Sequence, residues 1–268
     1  MSGDVAFYYG LLDSSTLRSF RDFIEQTAKE SSCNSQRLIF FLNTGGGSAE
    51  AAEKMVEIMR HHYSEVFFVV PDFALSAGTI LCTSGDRIYM DYSSSLGPID
   101  PQVWNGKDWV PALGYLDKVD ALLDKAQKGV LSNAEFLILQ NQDLALLSRY
   151  EQARDLTVTL LKKWLVEYKF KDWTTHATDP AKKGQPVTDD EKRQRAEQIA
   201  KILGDNKLWH SHGRMIGPGT LSRVLRLKVD DYSTDTVLRP LIRSYNDLLT
   251  QFIIRDGYKS FIHNRHFF

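Results

Sequence analysis

Hydrophobic positions in the first ninety residues follow two alternating patterns. Continuous apolar runs occur at residues 37–42 (RLIFFL), 66–70 (VFFVV) and 87–90, whereas residues 15–28 and the segment after Ser48 repeat apolar positions at helical spacing. Continuous runs are typical of buried strands, and the helical spacing predicts amphipathic helices. Strands that alternate with helices at such short separations imply parallel pairing through right-handed crossovers, so we predict an α/β fold for this half.

The second half is predicted to be mainly helical. Apolar periodicity indicates helices at 113–128, at 134–169 in one or two pieces, at 191–203 and at 237–254. Between the second and third helices, residues 172–186 are polar and contain Pro and Gly, as an exposed loop does. We therefore expect a main domain over residues 1–232 and a helical, aromatic-rich extension over 233–268.

Composition narrows the class of protein. The chain has 268 residues, of which 43% are hydrophobic and 25% charged, with a net charge of −1. This balance is ordinary for a soluble globular protein and provides no basic surface for nucleic acid or anionic lipid. The N-terminus lacks the pattern of a signal peptide, and Pro71 and Asp72 interrupt the most apolar segment. We expect a cytoplasmic protein that binds no nucleic acid and does not insert into membranes.

The cysteines indicate neither a metal site nor a disulfide. Cys33 and Cys82 are far apart in the sequence, and their separation matches no metal-ligand spacing. Reduced thiols are therefore expected, as in most cytosolic proteins. His263 and His266 lack an evident third ligand, so we predict no metal and no organic cofactor.

Two turns contain the candidate chemistry. The first apolar run is followed by NTGGGSAE, and the second by ALSAGTILCTSG with Ser76 at its centre. The glycine run lacks the Lys-Ser/Thr ending of a phosphate-binding loop and the spacing of a dinucleotide fingerprint. It is either a simple turn or a loop that presents an amide to a carbonyl oxygen. Ser76 is correspondingly either a helix N-cap or a nucleophile.

The order of these motifs resembles that of known peptidases. FLNTGGGSAEAAEKMVEIMR and VFFVVPDFALSAGTILCTSGDRIYMDYSSSLGPIDPQ are similar to the Clp-type and signal-peptide-peptidase-A serine peptidases, most of all to the serine dehydrogenase proteinase branch. QIAKILGDNKLWHSHGRMI resembles the C-terminal motif of that branch. The resemblance implies a Clp/crotonase-like fold of repeated ββα units with a helical C-terminal part. It also implies an ATP-independent endopeptidase that acts on peptides or proteins.

The resemblance assigns roles to the residues of both turns. Ser76 becomes the nucleophile, and the amides of Gly46 and Ala77 form the oxyanion hole. Gly45 and Gly47 are expected to bind substrate, and so is Gly97 in the later SLGPIDP segment. Gly45 departs from the family pattern, in which proline is common at this position; the turn can still present an amide.

A serine nucleophile requires a base that accepts its proton. The Clp-type relatives use a histidine soon after the serine, but this chain has no histidine between His62 and His176. The signal-peptide-peptidase relatives use a lysine on a later helix, which here offers Lys118, Lys125 and Lys128. The resemblance therefore implies a Ser-Lys dyad.

The predicted helix ranks these lysines. Its apolar stripe consists of Leu116, Val119, Leu123 and Ala126, and Lys118 lies at about 90° from the centre of that stripe. Such a flank position favours the partial burial that a lysine base needs. Lys118 is our first choice, Lys125 the second, and Lys128 is expected to be solvated. The alternative is that all three are surface lysines.

Other interpretations stay open. Crotonase-like acyl-thioester chemistry uses a similar pair of loop amides, and a catalytically degenerate module could bind peptides or a partner. His210 and His212 are predicted to be packing or supporting residues, and Asp100 a turn former. The aromatic tail SFIHNRHFF indicates an interface, so we expect a homo-oligomer.

Overall fold

The computed structural model describes residues 2–31, 36–107, 109–177 and 179–266. Its strands are β1 (Asp4–Tyr9), β2 (Arg37–Asn43), β3 (Glu65–Val70), β4 (Phe73–Ala74), β5 (Arg87–Met90), β6 (Ser95–Leu96), β7 (Gln102–Trp104), β8 (Trp109–Pro111), β9 (Asp230–Asp231) and β10 (Phe261–His263). Its α-helices are α1 (Leu17–Lys29), α2 (Ala49–His62), α3 (Ala77–Thr83), α4 (Ala112–Gln127), α5 (Asn133–Gln140), α6 (Leu144–Trp164), α7 (Asp189–Leu203), α8 (Asn206–Trp209), α9 (Pro218–Arg223) and α10 (Leu238–Asp256).

The central sheet has the strand order β10-β1-β2-β3-β5-β9. Neighbours from β1 to β9 pair in parallel, and β10 pairs antiparallel with β1 at the edge. The connections β2–α2–β3 and β3–α3–β5 are the crossovers that the apolar pattern predicts. The α/β fold class is therefore confirmed.

The sheet is buried on both faces, which explains the continuous apolar runs. Phe40 and Phe68 belong to a core shared with α1, α2, α3, α6 and α7, whereas Phe41 and Phe67 belong to a second core beneath α10. Because successive side chains in a strand alternate between faces, a strand covered on both sides must be apolar at nearly every position.

The long helical segment predicted at 134–169 is divided. Ser132 and Glu135 form a capping box that starts α5, and Asp143 accepts hydrogen bonds from two amides at the start of α6. A π-helical turn at Leu165–Lys169 follows α6 directly. Strand β1 was not predicted, although it contains the apolar run VAFYY, and the short strand pairs were not predicted because they have only two or three residues in each strand.

The C-terminal segment folds onto the same sheet. Tyr8 pairs with Ile262 across β1 and β10, and Phe261 packs against the core beneath α10. Phe261 is thus accommodated within one chain, whereas Tyr258 is 47% exposed. Phe267, Phe268 and Cys33 lie outside the described residues. Cys82 is fully buried, and this burial raises the pKa of its thiol.

Helices of the described segments were assessed for length and hydropathy. None is both long enough and apolar enough to cross a lipid bilayer.

Candidate active site

Two loops meet at the carboxyl edge of the sheet. The loop after β2 contains Thr44, and its amide donates to the carbonyl of Phe73 at 3.0 Å. The amide of Leu75 in the loop after β3 donates back to the carbonyl of Thr44, also at 3.0 Å. Parallel neighbouring strands end at the same edge, so the glycine turn and the serine turn lie side by side.

Ser76 immediately precedes α3 but does not cap it. Its side chain makes no capping hydrogen bond to any described backbone amide, and its φ is 52°. Ser48, by contrast, caps α2 in the usual way, since its Oγ accepts from the amide of Ala51 at 3.0 Å. A non-glycine residue at positive φ carries backbone strain that the surrounding structure must maintain. The N-cap interpretation of Ser76 is wrong.

The two loops approach each other so closely that only glycine fits at two positions. A Cβ added to Gly46, whose φ is +112°, would lie 2.8 Å from Cβ of Ser76. A Cβ on Gly78 would lie 2.4 Å from Cγ2 of Thr44. Side chains at these positions would therefore push the two loops apart.

The amides around Ser76 differ in availability. The Gly46 amide donates to Oγ1 of Thr44 at 3.0 Å and is buried. Within the described residues, no hydrogen bond is found from the amides of Gly47 and Ala77. Both of these residues line the same cleft as Ser76. The role expected for Gly46 therefore fits Gly47 better, because an oxyanion needs a donor without a competing acceptor.

The cleft has a volume of about 890 Å³. Its walls include Gly45, Gly47, Ser48, Ser76, Ala77, Ile80, Arg149 and His212. Gly97, which was expected to bind substrate, is not among the lining residues. Its amide donates to Oγ1 of Thr79 at 2.8 Å, and its carbonyl lies 3.0 Å from the same oxygen, so Gly97 anchors its segment to α3.

The predicted lysine bases lie elsewhere. Lys118 is exposed on α4, Lys125 pairs with Glu135 at 2.5 Å, and Lys128 pairs with Asp124 at 2.8 Å. None of these three described lysines lines the cleft. The helix buries Ala112, Leu116 and Val119, and Lys118 turns away from the face that they share.

A different lysine has the lowered pKa that a base requires. Burial lowers the pKa of Lys169 to about 8. Its Nζ lies 3.5 Å from the carbonyl of Asp86, just before β5 begins. That position is at the amino edge of the sheet, opposite the edge that holds Ser76, so Lys169 does not serve the cleft.

Asp100 is more than a turn former. It is 1% exposed and accepts from the amide of Leu113 at 3.2 Å, which stabilises the start of α4. Oδ2 lies 2.9 Å from the nitrogen of the Asn206 side chain in the amide orientation that satisfies both groups. Burial raises the pKa of Asp100 to about 6, an effect that the Leu113 amide opposes and Asp117 reinforces. Within the described ranges, no three His, Cys, Asp or Glu side chains converge to hold a metal ion.

Comparison with known families bears on this arrangement. A family model described as ClpP-like SDH-type serine proteinase matches residues 27–195, which is more than half of the chain. The chain belongs to this family. The matched region includes both loops and Lys118 but ends before His212.

Curated relatives of this family member match only in part. Two uncharacterized proteins of Methanocaldococcus jannaschii, MJ0137 and MJ1495, are 37% and 32% identical over 62 and 107 residues. These segments cover 23% and 36% of this chain, and 22% and 35% of the relatives. The chain therefore matches less than two thirds of each relative's length.

Solved structures with a similar arrangement include two of the 1510-N membrane-bound stomatin-specific protease. One is an alanine-for-serine mutant, with a TM-score of 0.49 and 15% identity, covering 87% of this chain and 82% of that chain. The other is an alanine-for-lysine mutant in complex with a substrate peptide, with a TM-score of 0.48 and 16% identity, covering 87% and 77%.

A buried polar network, missed by sequence reasoning, supports both loops of this ClpP-like chain. Nδ2 of Asn43 donates to Oδ1 of Asn246 at 2.6 Å, and Nδ2 of Asn246 donates to Oδ2 of Asp72 at 2.8 Å. The amide of Asp72 in turn donates to Oδ1 of Asn43 at 3.3 Å. Helix α10 thus connects to the base of the glycine loop and the base of the serine loop. A lone Asn on an amphipathic helix has no sequence signal for such a role.

Proposed function

We propose that this family member is a serine endopeptidase whose nucleophile is Ser76. The observation that carries the proposal is the strained, uncapped position of Ser76 in a cleft beside two uncommitted amides. Backbone strain at a functional side chain is common where the side chain must be presented rather than buried.

The proposed reaction follows from this geometry. Oγ of Ser76 attacks the peptide carbonyl carbon and loses its proton to a base, and the carbonyl π electrons move onto oxygen. The amides of Ala77 and Gly47 hold this oxyanion, and Ala77 adds the partial positive charge at the start of α3. The C–N bond then breaks as the amine receives the proton. Water hydrolyses the resulting ester of Ser76.

The Ser-Lys dyad implied by the resemblance is the weakest part of the expected mechanism. Lys118 is exposed and outside the cleft, so it could take part only after a rearrangement of α4 or through another subunit. Homo-oligomer formation stays a prediction, and light scattering of the full chain tests it. The proposed nucleophile and oxyanion donors do not depend on either point.

A fluorophosphonate probe tests the proposed function. The intact chain is expected to gain one adduct on Ser76, located by peptide mass spectrometry, and to cleave an unstructured protein substrate. Ser76→Ala should abolish both. Ser48→Ala is the matched control, because Ser48 lines the same cleft but is engaged in capping α2. Labelling that persists in Ser76→Ala, or a folded wild-type chain with neither labelling nor cleavage, would overturn the proposal.

A further inference from the structure

The cleft that contains Ser76 has two walls of different composition. One wall, the glycine wall, is built from the loop after β1 and the glycine loop, and it includes residues 11–13 and 47–50. The other, the helix wall, is built from β7 and one face of α6, and it includes residues 102–104 and Arg149. Because both walls line one cleft, a peptide that occupies it contacts both.

The glycine wall carries two carboxylates. The amide of Leu12 donates to the carbonyl of Gly46, and the amide of Ser48 donates to the carbonyl of Leu12, both at 2.8 Å. The acidic residues that follow, Asp13 and Glu50, therefore lie in the same wall, and both are exposed. Asp13 accepts from an amide two residues later, and Glu50 accepts from the hydroxyl of Ser48. Neither forms an ion pair with a described side chain, so no described cation balances the negative charge of this wall.

The helix wall carries a cation at its rim. Residues 149, 152, 153, 156 and 157 of α6 line the cleft, which is the spacing of one helical face. Exposure rises along this face, since Thr157 is 4% exposed whereas Gln152 and Arg149 are exposed. Eight helical residues correspond to about 12 Å, so Thr157 lies at the base of the cleft and Arg149 at its rim.

Arg149 differs from the other arginine of this helix. Arg154 pairs with Asp155 at 2.8 Å and is not among the residues that line the cleft. Arg149 forms no ion pair with any side chain in the described ranges. A guanidinium presents a planar set of donors that matches a carboxylate, so a carboxylate of a bound peptide is the group that fits Arg149 best.

We propose that the cleft selects its peptide by charge, an inference that rests on the proposed peptidase function and names its substrate class. Arg149 binds an Asp or Glu side chain of the peptide. Asp13 and Glu50 favour Lys or Arg at the peptide positions that face the glycine wall, because side chains of an extended peptide alternate between opposite faces. All three charged residues are exposed, so they act on residues that flank the scissile bond and not on the reacting carbonyl.

Cleavage of a mixture of synthetic random-sequence peptides, with the cut sites located by mass spectrometry, tests this selection. The full wild-type chain should cut about fivefold more often where Asp or Glu stands at a fixed distance from the scissile bond, as one exposed charge-assisted contact allows. Arg149→Glu should replace this preference with one for Lys or Arg at the same distance. Arg154→Gln is the matched control and should keep the wild-type pattern.

A second variant examines the glycine wall. Glu50→Gln should reduce the preference for Lys or Arg and leave the acidic preference at its own position. Both preferences should weaken when NaCl is raised to about 0.5 M, because exposed charges are then screened. A residue that only supports the fold would change the amount of cleavage and not its sequence pattern.

The outcomes separate this inference from the peptidase proposal. A wild-type chain that is labelled at Ser76 but cuts without an acidic preference overturns charge selection and leaves the peptidase intact. An Arg149→Glu variant that retains the acidic preference does the same. A folded wild-type chain with neither labelling nor cleavage removes the peptidase proposal and this inference with it.

Discussion

The loops at the carboxyl edge of the sheet and the helical arm at residues 112–147 are held in very different ways. The loops are bonded to each other and lie so close that a Cβ added at Gly46 or Gly78 would collide with Ser76 or Thr44. In the arm, every residue of α5 is at least partly exposed, and Phe136 and Ile138 are more than half exposed.

This contrast matters for where catalytic groups can act. Proton transfer requires a base held within hydrogen-bonding distance of the nucleophile. The dense packing around the loops provides such precision, whereas an exposed lysine on the arm samples many rotamers in solvent. None of the three arm lysines Lys118, Lys125 and Lys128 lines the cleft, in keeping with this contrast.

The largest expected effect on the labelling rate comes from one methyl group added to the loops, and the same change in the arm is its control. Gly46→Ala places a Cβ against Ser76 at a positive φ, so the rate of fluorophosphonate labelling should fall by about 100-fold, the usual result of displacing a reacting group. Gly129→Ala, at φ +70° in the arm with no neighbour within 4 Å, is the matched control. It should keep the wild-type rate and cost about 1 kcal/mol of stability. Equal rates in both variants would contradict the difference in packing.

The buried amide network gives the next largest effect. Asn246→Ala leaves Asn43 and Asp72 without their shared partner, which should cost about 1–3 kcal/mol of unfolding free energy. The labelling rate should also fall, by roughly tenfold, because both loops lose a support. Thr250→Val is the control, one turn later on α10, and it removes a buried hydroxyl without a described partner. It should leave both the unfolding free energy and the labelling rate unchanged. An Asn246→Ala variant as stable as the wild type would show that α10 does not hold the loops.

Asp100 connects the cleft wall to the first helix of the arm, and its effect depends on pH. Its pKa is raised to about 6 in the folded chain, so the folded state binds this proton more tightly than the unfolded state. The free energy of unfolding therefore decreases as pH rises from about 4 to 6.

Asp100→Asn removes this decrease. As pH rises from 4.5 to 7, the unfolding free energy of the variant should increase relative to that of the wild type by about 1–3 kcal/mol. Urea unfolding at each pH measures this difference. Asp120→Asn, at an exposed position on α4, should show no such change. A constant difference between Asp100→Asn and the wild type across this range would mean that the carboxyl titrates as it does in the unfolded chain.

The smallest effect is expected on the arm itself. Lys125 and Glu135 form an exposed ion pair, and such pairs contribute between about 0 and 1 kcal/mol. Lys125→Ala should therefore change the melting temperature little and leave the labelling rate of Ser76 unaltered. A large loss of labelling would indicate that the arm reaches the cleft of this subunit or of a neighbouring one.

Local pattern was enough to predict the layers of the fold and the position of the turn that contains Ser76. Apolar runs such as residues 37–42 and 66–70 indicate strands buried on both faces, and short crossovers leave little choice but parallel neighbours. Once β2 and β3 are adjacent, the glycine turn and Ser76 must lie at one edge. The family resemblance then assigned Ser76 its role, and the family match confirms the resemblance.

Only the tertiary structure decided which groups accompany Ser76. The amide of Gly46 is taken by Thr44, Lys118 faces solvent, and Asn246 reaches Asn43 across 203 residues of sequence. His212 lies on the wall of the cleft, in a segment that Ile216 bonds to Leu96 of β6. Hydrogen-bond availability and side-chain burial depend on neighbours brought together by folding, and periodicity along the chain contains no information about such distant partners.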